Sequence, residues 1–253
     1  TGWYTLSLHD ALPILFWHDE AHTGKLYHIE KTRACENKGI HVVHVYEDDW
    51  NFKNEIVKSR IMNMLGCTGV RLHARKMDIR EVDGHTAGRF LEDNHIQGNV
   101  FSGVRIGLFR GDEMLSLMTF GKIRMEESAD GEYELLRFCN KINISVSGAA
   151  SRLFSFFVRK YNPTKVISYA DRSWSTRITR TLYDVLGFTF DRETPPNYFY
   201  IIDSMREHRF NHRKSRLVRQ GFDASKTENE IMTERGIDRI FDSGSLKYVW
   251  KKL

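Results

Sequence analysis

The sequence predicts an α+β protein in which helices pack over a mixed β-sheet. A turn at Arg110-Gly111-Asp112 joins two apolar-rich segments, Gly103–Phe109 and Glu113–Lys122, and this arrangement is typical of a β-hairpin. Apolar residues recur at helical spacing in Gly148–Tyr161, which predicts an amphipathic helix. Residues 71–202 as a whole follow the order strand, helix, strands, helix, strand, helix, strand, which indicates helices over a mixed sheet.

The first region, Leu15–Gly66, is predicted to be helix, strand and helix. Charged and small apolar residues alternate at helical spacing in Tyr27–Lys38, and Gly39 follows as a helix stop. Ile40–Tyr46 is rich in β-branched residues and predicts a short strand. Asp49 is placed to cap the next helix, which ends at Gly66.

The second region adds four strands and two short helices to the hairpin and the amphipathic helix. The predicted strands are Leu72–Val82, Tyr133–Cys139, Lys165–Ala170 and Tyr198–Ile202, and the predicted helices are Thr86–Glu92 and Thr179–Leu186.

The third region begins with a basic block, Met205–Gln220, which carries six Arg or Lys residues against one Glu. A capping pattern at Thr227 predicts a helix over Thr227–Arg235. Ile237–Trp250 is then predicted to form a small hairpin around Ser243-Gly244. These differences in sequence pattern predict domains at 15–68, 71–202 and 203–253.

The composition is that of a globular protein, with 253 residues, 41% of them hydrophobic and 28% charged. No apolar run is long enough to cross a bilayer, so no membrane partner is expected. The three cysteines are far apart in the sequence, which indicates free thiols in a reducing compartment. We therefore expect a cytoplasmic protein, and the oligomeric state stays open.

Residues 1–14 are set apart from the rest. Tyr4–Ile14 resembles one translated frame of a sequencing adapter, so we expect these residues to be an artefact of an assembled, metagenomic sequence. The natural chain is then expected to start near Leu15, as an N-terminally truncated fragment.

Residues Phe16 to Trp50 concentrate imidazoles, carboxylates and a lysine, groups that suit metal-assisted phosphodiester hydrolysis. The segment resembles phage-encoded homing endonucleases related to very-short-patch-repair endonucleases, which have a restriction-endonuclease-like core. The resemblance rests on Trp17, His18, Glu20, Tyr27, His28, Lys31, Thr32, Cys35, Lys38, Gly39, Ile40 and the run from His44 to Trp50.

This resemblance implies a partial restriction-endonuclease-like domain and DNA hydrolysis with Mg²⁺, in a phage-infected bacterial host. His18 would activate or position water, while Glu20, His28, Lys31 and Glu47 would line the site. The first metal ligand is expected upstream of Leu15, in the missing part, so the fragment itself is expected to be inactive. From the residues alone, Lys31 is equally a helix-face charge, and Glu47 is equally part of an acidic first helical turn.

The second region contains five notable motifs: Asn94–Gly98, Leu117–Lys122, Tyr133–Phe138, Val146–Ser151 and Ser168–Ser175. With these motifs it resembles a GNAT-type acyltransferase domain. It implies that backbone N–H groups at Gly148, Ala149, Ala150 and Ser151 approach the pyrophosphate of acetyl-CoA. The alternative from the residues is that these small side chains only allow the helix to pack closely on the sheet.

If acyl transfer occurs, His95, Tyr169 or Asp171 could serve as general base and Tyr183 as general acid. The leading hypothesis is nonetheless an endonuclease fragment, with the acyltransferase and a DNA-binding module without chemistry as alternatives. Candidate DNA contacts in the basic block are Arg206, Arg209, Arg213, Lys214, Arg216 and Arg219. Further candidates in the second region are Arg137, Arg152, Arg159, Lys160 and Arg172.

Overall fold

The computed structural model describes residues 20–124 and 126–252, apart from the side chains of Ala21 and His22. The helices are α1 (Glu20–Thr23), α2 (Tyr27–Glu36), α3 (Glu47–Met64), α4 (Gly84–Asn94), α5 (Ala149–Tyr161), α6 (Leu182–Leu186), α7 (Lys214–Arg219) and α8 (Glu228–Glu234). Single 3₁₀ turns lie at Ala74–Lys76 and Arg209–His212.

The strands are β1 (Val70–His73), β2 (Asp78–Glu81), β3 (Val104–Arg110), β4 (Glu113–Gly121), β5 (Glu132–Asn140), β6 (Ile144–Ser147), β7 (Lys165–Asp171), β8 (Thr189–Glu193), β9 (Tyr198–Ile202), β10 (Met205–His208), β11 (Arg239–Phe241) and β12 (Ser245–Lys251).

The chain folds into two compact units built from interleaved segments. The small-sheet unit combines the chain up to Phe52 with Asp171–Ile178 and Thr194–Ser245. The large-sheet unit combines Lys53–Ala170 with Thr179–Glu193 and Leu246–Leu253. The predicted division into successive domains at 15–68, 71–202 and 203–253 stays a prediction.

A seven-stranded mixed sheet forms the large-sheet unit, in the order β2-β3-β4-β5-β7-β12-β8. Its first four strands are antiparallel, β5 and β7 are parallel, and β12 and β8 are antiparallel. A separate parallel pair joins β1 and β6. The prediction of helices over a mixed α+β sheet is confirmed.

The predicted hairpin is β3 and β4, and its turn requires a glycine. Gly111 has φ +62°, a left-handed conformation that a glycine adopts without the steric penalty of a side chain. The ladder runs from Arg110 and Glu113 back to Val104 and Phe120, with one register shift between Leu108 and Phe109. Strong local turn chemistry therefore fixes this pair of strands.

The large sheet is covered on both faces. Leu117 and Met118 are consecutive in β4, so their side chains point to opposite faces. Met118 belongs to the core beneath α5, where the rings of Phe120 and Phe157 stack with centroids 3.6 Å apart. Leu117 belongs to the core beneath α4, together with Leu91. We call these the α5 face and the α4 face of the sheet.

In the small-sheet unit, β10, β9 and β11 form an antiparallel sheet. Tyr200 of β9 packs with Leu217 of α7 and with Ile231 and Met232 of α8 in a small core. The predicted capping pattern at Thr227 is present, because its hydroxyl accepts from the Glu230 N–H while the Glu230 carboxylate accepts from the Thr227 N–H.

Three secondary-structure predictions are wrong. Ile40–Tyr46 forms no strand: the Ile40 N–H turns back to the Cys35 carbonyl, and a β-rich segment needs a neighbouring strand to pair with. The 3₁₀ turn at Ala74–Lys76 interrupts the strand predicted over Leu72–Val82. Ile237–Trp250 is no hairpin either, because β11 pairs with β9 whereas β12 pairs with β7 and β8.

Candidate functional site

The parallel strands β5 and β7 pair over only part of their length. Their ladder runs from Glu132 and Lys165 to Leu135 and Ser168. Beyond that point β5 continues to Asn140 and β7 to Asp171. The Ser168 hydroxyl donates to the Leu135 carbonyl at 2.9 Å and so closes the paired part of the ladder. We call the end of this ladder the β5–β7 separation; the backbone beyond it is where an extended ligand could add its own hydrogen bonds.

Tyr183 of α6 lies at the β5–β7 separation. Its phenol oxygen is 3.2 Å from the Ser168 hydroxyl oxygen, and its ring stacks on Tyr248 with centroids 4.3 Å apart. Because the Ser168 proton is donated to Leu135, Tyr183 is the donor in its contact with Ser168. Burial raises the pKa of Tyr183, so its phenol keeps its proton at neutral pH.

Helix α5 begins after β6 at Gly148, which has φ +79°. Gly148 is exposed, and a Cβ built there would meet only Ala74, at 3.9 Å. Ala149 and Ala150 are buried in the core, as the packing alternative predicted, while Ser151 is half-buried. The first turn of α5 therefore combines close packing on one side with an exposed backbone entry at Gly148.

His95 follows α4 and is half-buried. Its Nδ1 accepts a hydrogen bond from the Gln97 N–H at 3.1 Å, which places the proton of the neutral ring on Nε2. Burial lowers the pKa of His95 well below its ordinary value, and the positive charges of Arg137, Arg60 and Lys53 lower it further. Since its free lone pair is already used, His95 fits a hydrogen-bond donor better than a general base.

Glu134 of β5 lies one residue before the end of the ladder and was not predicted as a site residue. Its side chain is 5% exposed and pairs with Arg124 at 2.8 Å. Tyr169, a predicted base candidate, lies on β7 with its hydroxyl 3.4 Å from Glu126. Burial and the nearby Glu126 charge raise the pKa of Tyr169, which makes the phenol a poor base at neutral pH. A carboxylate within a largely apolar strand was the signal in the sequence for Glu134.

Asp171, the remaining base candidate, lies at the end of β7 in the small-sheet unit. Its carboxylate accepts from the backbone N–H of Ser173 at 2.9 Å. This contact shapes the turn after β7.

The predicted nuclease residues have separate partners. His18 lies outside the described residues, as do residues 1–14. Glu20 forms an ion pair with Arg239, and the ring of His28 is buried against those of His44 and Tyr46. Lys31 lies 5.6 Å from the Tyr27 ring centroid on the surface of α2. Glu47 begins α3, as the helix-cap alternative predicted.

The acids next to Glu47 are neutralised by a half-buried arginine. Arg206 contacts Asp48 and Asp49, each at 2.7 Å, and its guanidinium lies 3.7 Å from the Tyr46 ring centroid. Over the described ranges 20–124 and 126–252, no group of three or more His, Cys, Asp or Glu side chains is arranged to hold a metal ion. The residues present therefore do not fit the expected Mg²⁺ site.

The predicted DNA contacts fall into two classes. Arg206 is half-buried and held in ion pairs with Asp48 and Asp49, so it is a structural cation and not a phosphate contact. The other five residues are exposed, on the 3₁₀ turn before α7 and on α7 itself, and they are Arg209, Arg213, Lys214, Arg216 and Arg219. In the second group, Arg172 is buried and paired with Glu36 at 2.5 Å.

The chain is similar to solved acetyltransferase structures. One is a Bacillus subtilis acetyltransferase in complex with CoA, with a TM-score of 0.41 and 14% identity, over 70% of this chain and 100% of that chain. Another is the IAA acetyltransferase from Bacillus cereus, with a TM-score of 0.38 and 9% identity, over 70% of this chain and 100% of that chain. No protein-family model and no curated protein matches the sequence.

The resemblance to phage homing endonucleases is wrong, and neither a hydrolase nor a phage origin is supported. The similar solved structures named above are acetyltransferases. The described part of residues 15–68 consists of three helices with connecting coil, not a restriction-endonuclease-like core. Three of its acids, Glu20, Asp48 and Asp49, are paired with Arg239 and Arg206, which lie much later in the sequence.

Among the described residues, no helix is both long and apolar enough to span a lipid bilayer.

Proposed function

We propose that the large-sheet unit is an acyl-CoA-dependent acyltransferase of GNAT type. The observation that carries the proposal is the β5–β7 separation, with a protonated phenol at its end and an exposed backbone entry to α5 at Gly148, which follows β5 and β6 in the chain. Fold similarity alone does not establish activity, so the proposal rests on this arrangement.

Acetyl-CoA, when bound, supplies an acyl thioester. The exposed backbone at Gly148 and the N-terminus of α5, which carries a partial positive charge, would bind its pyrophosphate. Unpaired strand backbone beyond Leu135 would orient the pantetheine amides. A neutral helix entry with small side chains fits this group, because a bulky or acidic residue there would exclude it.

Two side chains would then move protons. Tyr183 donates its phenol proton to the sulfur as the carbon–sulfur bond breaks, which avoids release of a free thiolate. Glu134 accepts the proton that the attacking amine loses as the new carbon–nitrogen bond forms. This assigns the acid to α6 and the base to β5, on either side of the reacting carbonyl.

Acetyl-CoA binding tests the proposal through two serines that are both exposed. In Ser147→Glu, the new carboxylate stands beside the N-terminus of α5 and repels the pyrophosphate. Ser155→Glu adds the same charge further along the helix. By calorimetry we expect roughly tenfold weaker binding for Ser147→Glu and unchanged binding for Ser155→Glu. Absence of acetyl-CoA binding by the unaltered chain would refute the proposal.

A second candidate function is DNA contact by the five exposed basic residues on the 3₁₀ turn before α7 and on α7. We propose that they bind phosphates of duplex DNA. The matched variants are the triples Arg213→Gln, Lys214→Gln, Arg216→Gln and Arg75→Gln, Lys76→Gln, Arg110→Gln, which remove the same charge. DNA binding is measured by fluorescence anisotropy at increasing salt, and the logarithm of the binding constant is plotted against the logarithm of the salt concentration. The magnitude of this slope should be smaller by roughly 2 to 3 for the first triple only. Equal slopes for both triples would refute a specific role for this segment.

A further inference from the structure

A cluster of cationic side chains lies on the large-sheet unit next to the β5–β7 separation. Arg137 is the second residue of β5 beyond the end of the ladder. Its guanidinium donates to the Gly98 carbonyl at 3.2 Å and to the Leu136 carbonyl at 2.9 Å. Lys53 of α3 donates to the Ile96 carbonyl at 2.7 Å. Both cations are therefore held against the loop that contains His95.

Arg60 and His95 also belong to this cluster, and both side chains can donate hydrogen bonds. Arg60 lies two helical turns beyond Lys53 on α3 and is half-buried. His95 carries its proton on Nε2, since Nδ1 accepts from Gln97. The three charges that lower the pKa of His95, after burial itself, are those of Arg137, Arg60 and Lys53. The surroundings of the imidazole are thus positive, a setting that stabilises a bound anion.

Thr119 supplies an independent observation at the same place. It is the cross-strand partner of Arg137, so the two side chains lie next to each other on the sheet. Thr119 is fully buried, and within the described residues its hydroxyl has no hydrogen-bond partner. An unsatisfied buried hydroxyl costs about 1–3 kcal/mol, so its retention beside an arginine indicates a ligand that accepts from both.

This cluster is not on the side of the sheet where α5 begins. Phe138 and Met118 pack beneath α5, while Cys139 and Leu117 pack beneath α4. Arg137 is next to Phe138 in β5, and Thr119 is next to Met118 in β4. Because neighbouring side chains of a strand point to opposite faces, Arg137 and Thr119 lie on the α4 face. An anion held here is therefore a different group from the pyrophosphate assigned to the start of α5.

We propose that Lys53, Arg60, Arg137 and the Thr119 hydroxyl bind an anionic group, phosphate or carboxylate, of the acyl acceptor. The inference rests on the proposed acyltransferase function, which it deepens by naming the substrate class: an amine that carries an acidic group. Binding that group on the α4 face directs the amine to the β5–β7 separation, where Glu134 lies.

Calorimetric titration of the full chain with inorganic phosphate, at constant ionic strength in chloride, tests the site. We expect saturable binding that weakens at least tenfold in Arg137→Gln, because a hydrogen-bonded charge is lost. Thr119→Val keeps the shape of the side chain and should weaken binding several-fold. Arg110→Gln, which removes an exposed cation from the β3–β4 turn, should bind as the unaltered chain does.

Unchanged phosphate binding in both Arg137→Gln and Thr119→Val would overturn the inference, and so would no binding by the unaltered chain. If phosphate competes with acetyl-CoA, the anion belongs to the acyl donor and the acceptor assignment fails. Titration with acetyl-CoA alone is a separate measurement. If acetyl-CoA did not bind, the proposed acyltransferase function would be refuted, whereas the anion site would still be tested by the phosphate titration.

Discussion

At the scale of single residues, Tyr183 has the most specific chemical assignment. Its phenol is held by Ser168 at the β5–β7 separation and stays protonated because burial raises its pKa. A tyrosine that is to donate a proton at neutral pH needs this combination of position and retained proton.

We expect Tyr183→Phe to lower kcat for CoA release by about 10²-fold, the lower end of general acid catalysis, while acetyl-CoA affinity is unchanged. O-phosphoethanolamine serves as the acceptor, and the liberated thiol is followed colorimetrically. Tyr169→Phe is the matched control, because its hydroxyl contacts Glu126 instead of Ser168. Equal loss in both variants would argue against a specific role of Tyr183.

Asp242 predicts a pH dependence of stability in the small-sheet unit. Burial, with a contribution from Asp171, raises its pKa from 3.8 to about 6. The folded form then binds a proton more tightly than the unfolded form. Its favourable contribution is complete below pH 4 and is lost as pH rises from about 4 to about 6.

Asp242→Asn should remove this dependence. The asparagine oxygen can keep both hydrogen bonds that the carboxylate accepts, from the Asn197 and Gly244 N–H groups. By urea unfolding, we expect the free energy of unfolding of Asp242→Asn to exceed that of the unaltered chain by on the order of 1–2 kcal/mol above pH 7 and to equal it near pH 4. A gain of equal size at both pH values would contradict the assignment.

At the scale of elements, α5 contributes a close aromatic stack to the large-sheet unit. Phe157 is fully buried, stacks on Phe120 and meets Tyr133 edge-on at 5.1 Å. The neighbouring side chains cannot fill the space of such a ring, so its removal would leave a cavity.

Phe157→Ala should lower the free energy of unfolding by about 3–5 kcal/mol, from lost burial and the cavity left behind. Phe101→Ala makes the same change in the same unit at a ring that is 93% exposed, and should alter it by less than about 0.5 kcal/mol. Denaturant unfolding of both variants measures the difference. Similar values for the two would mean that α5 does not form the core.

Elements with strong local signals could be predicted from the sequence. The turn at Gly111, the apolar stripe of α5 and the capping pattern at Thr227 each involve residues a few positions apart. The strand predicted for Ile40–Tyr46 is wrong because a strand forms only beside a partner strand. The residues of the segment itself do not show whether such a partner is present.

At the scale of the whole molecule, contacts between distant parts of the sequence could not be predicted. Glu20 pairs with Arg239, and Asp48 pairs with Arg206, 158 positions away. Seen singly, Glu20 suggested a residue of a nuclease site, and Arg206 suggested a phosphate contact. His95 and Tyr183 were predicted as candidates for acyl transfer, whereas Thr119 and Glu134 lay inside quoted motifs and were distinguished only as polar residues within apolar strands.

The large sheet depends on the end of the chain, which allows a truncation test. Strand β12 lies between β7 and β8, and its Leu246 and Tyr248 are buried. A chain ending at Ser245 should lose cooperative unfolding of the large-sheet unit, measured by circular dichroism. A chain ending at Lys251 should unfold as the unaltered 253-residue chain does. Cooperative unfolding of the shorter chain would contradict the observed strand order.

The position of β12 also sets a time order during synthesis on the ribosome. Strands β7 and β8 leave the ribosome before the strand that separates them exists, so each carries an unpaired edge in the nascent chain. Unpaired edges promote pairing with other chains. The sheet can close only after β12 has been synthesised, and its nascent form is the stage at which a chaperone has the most to protect.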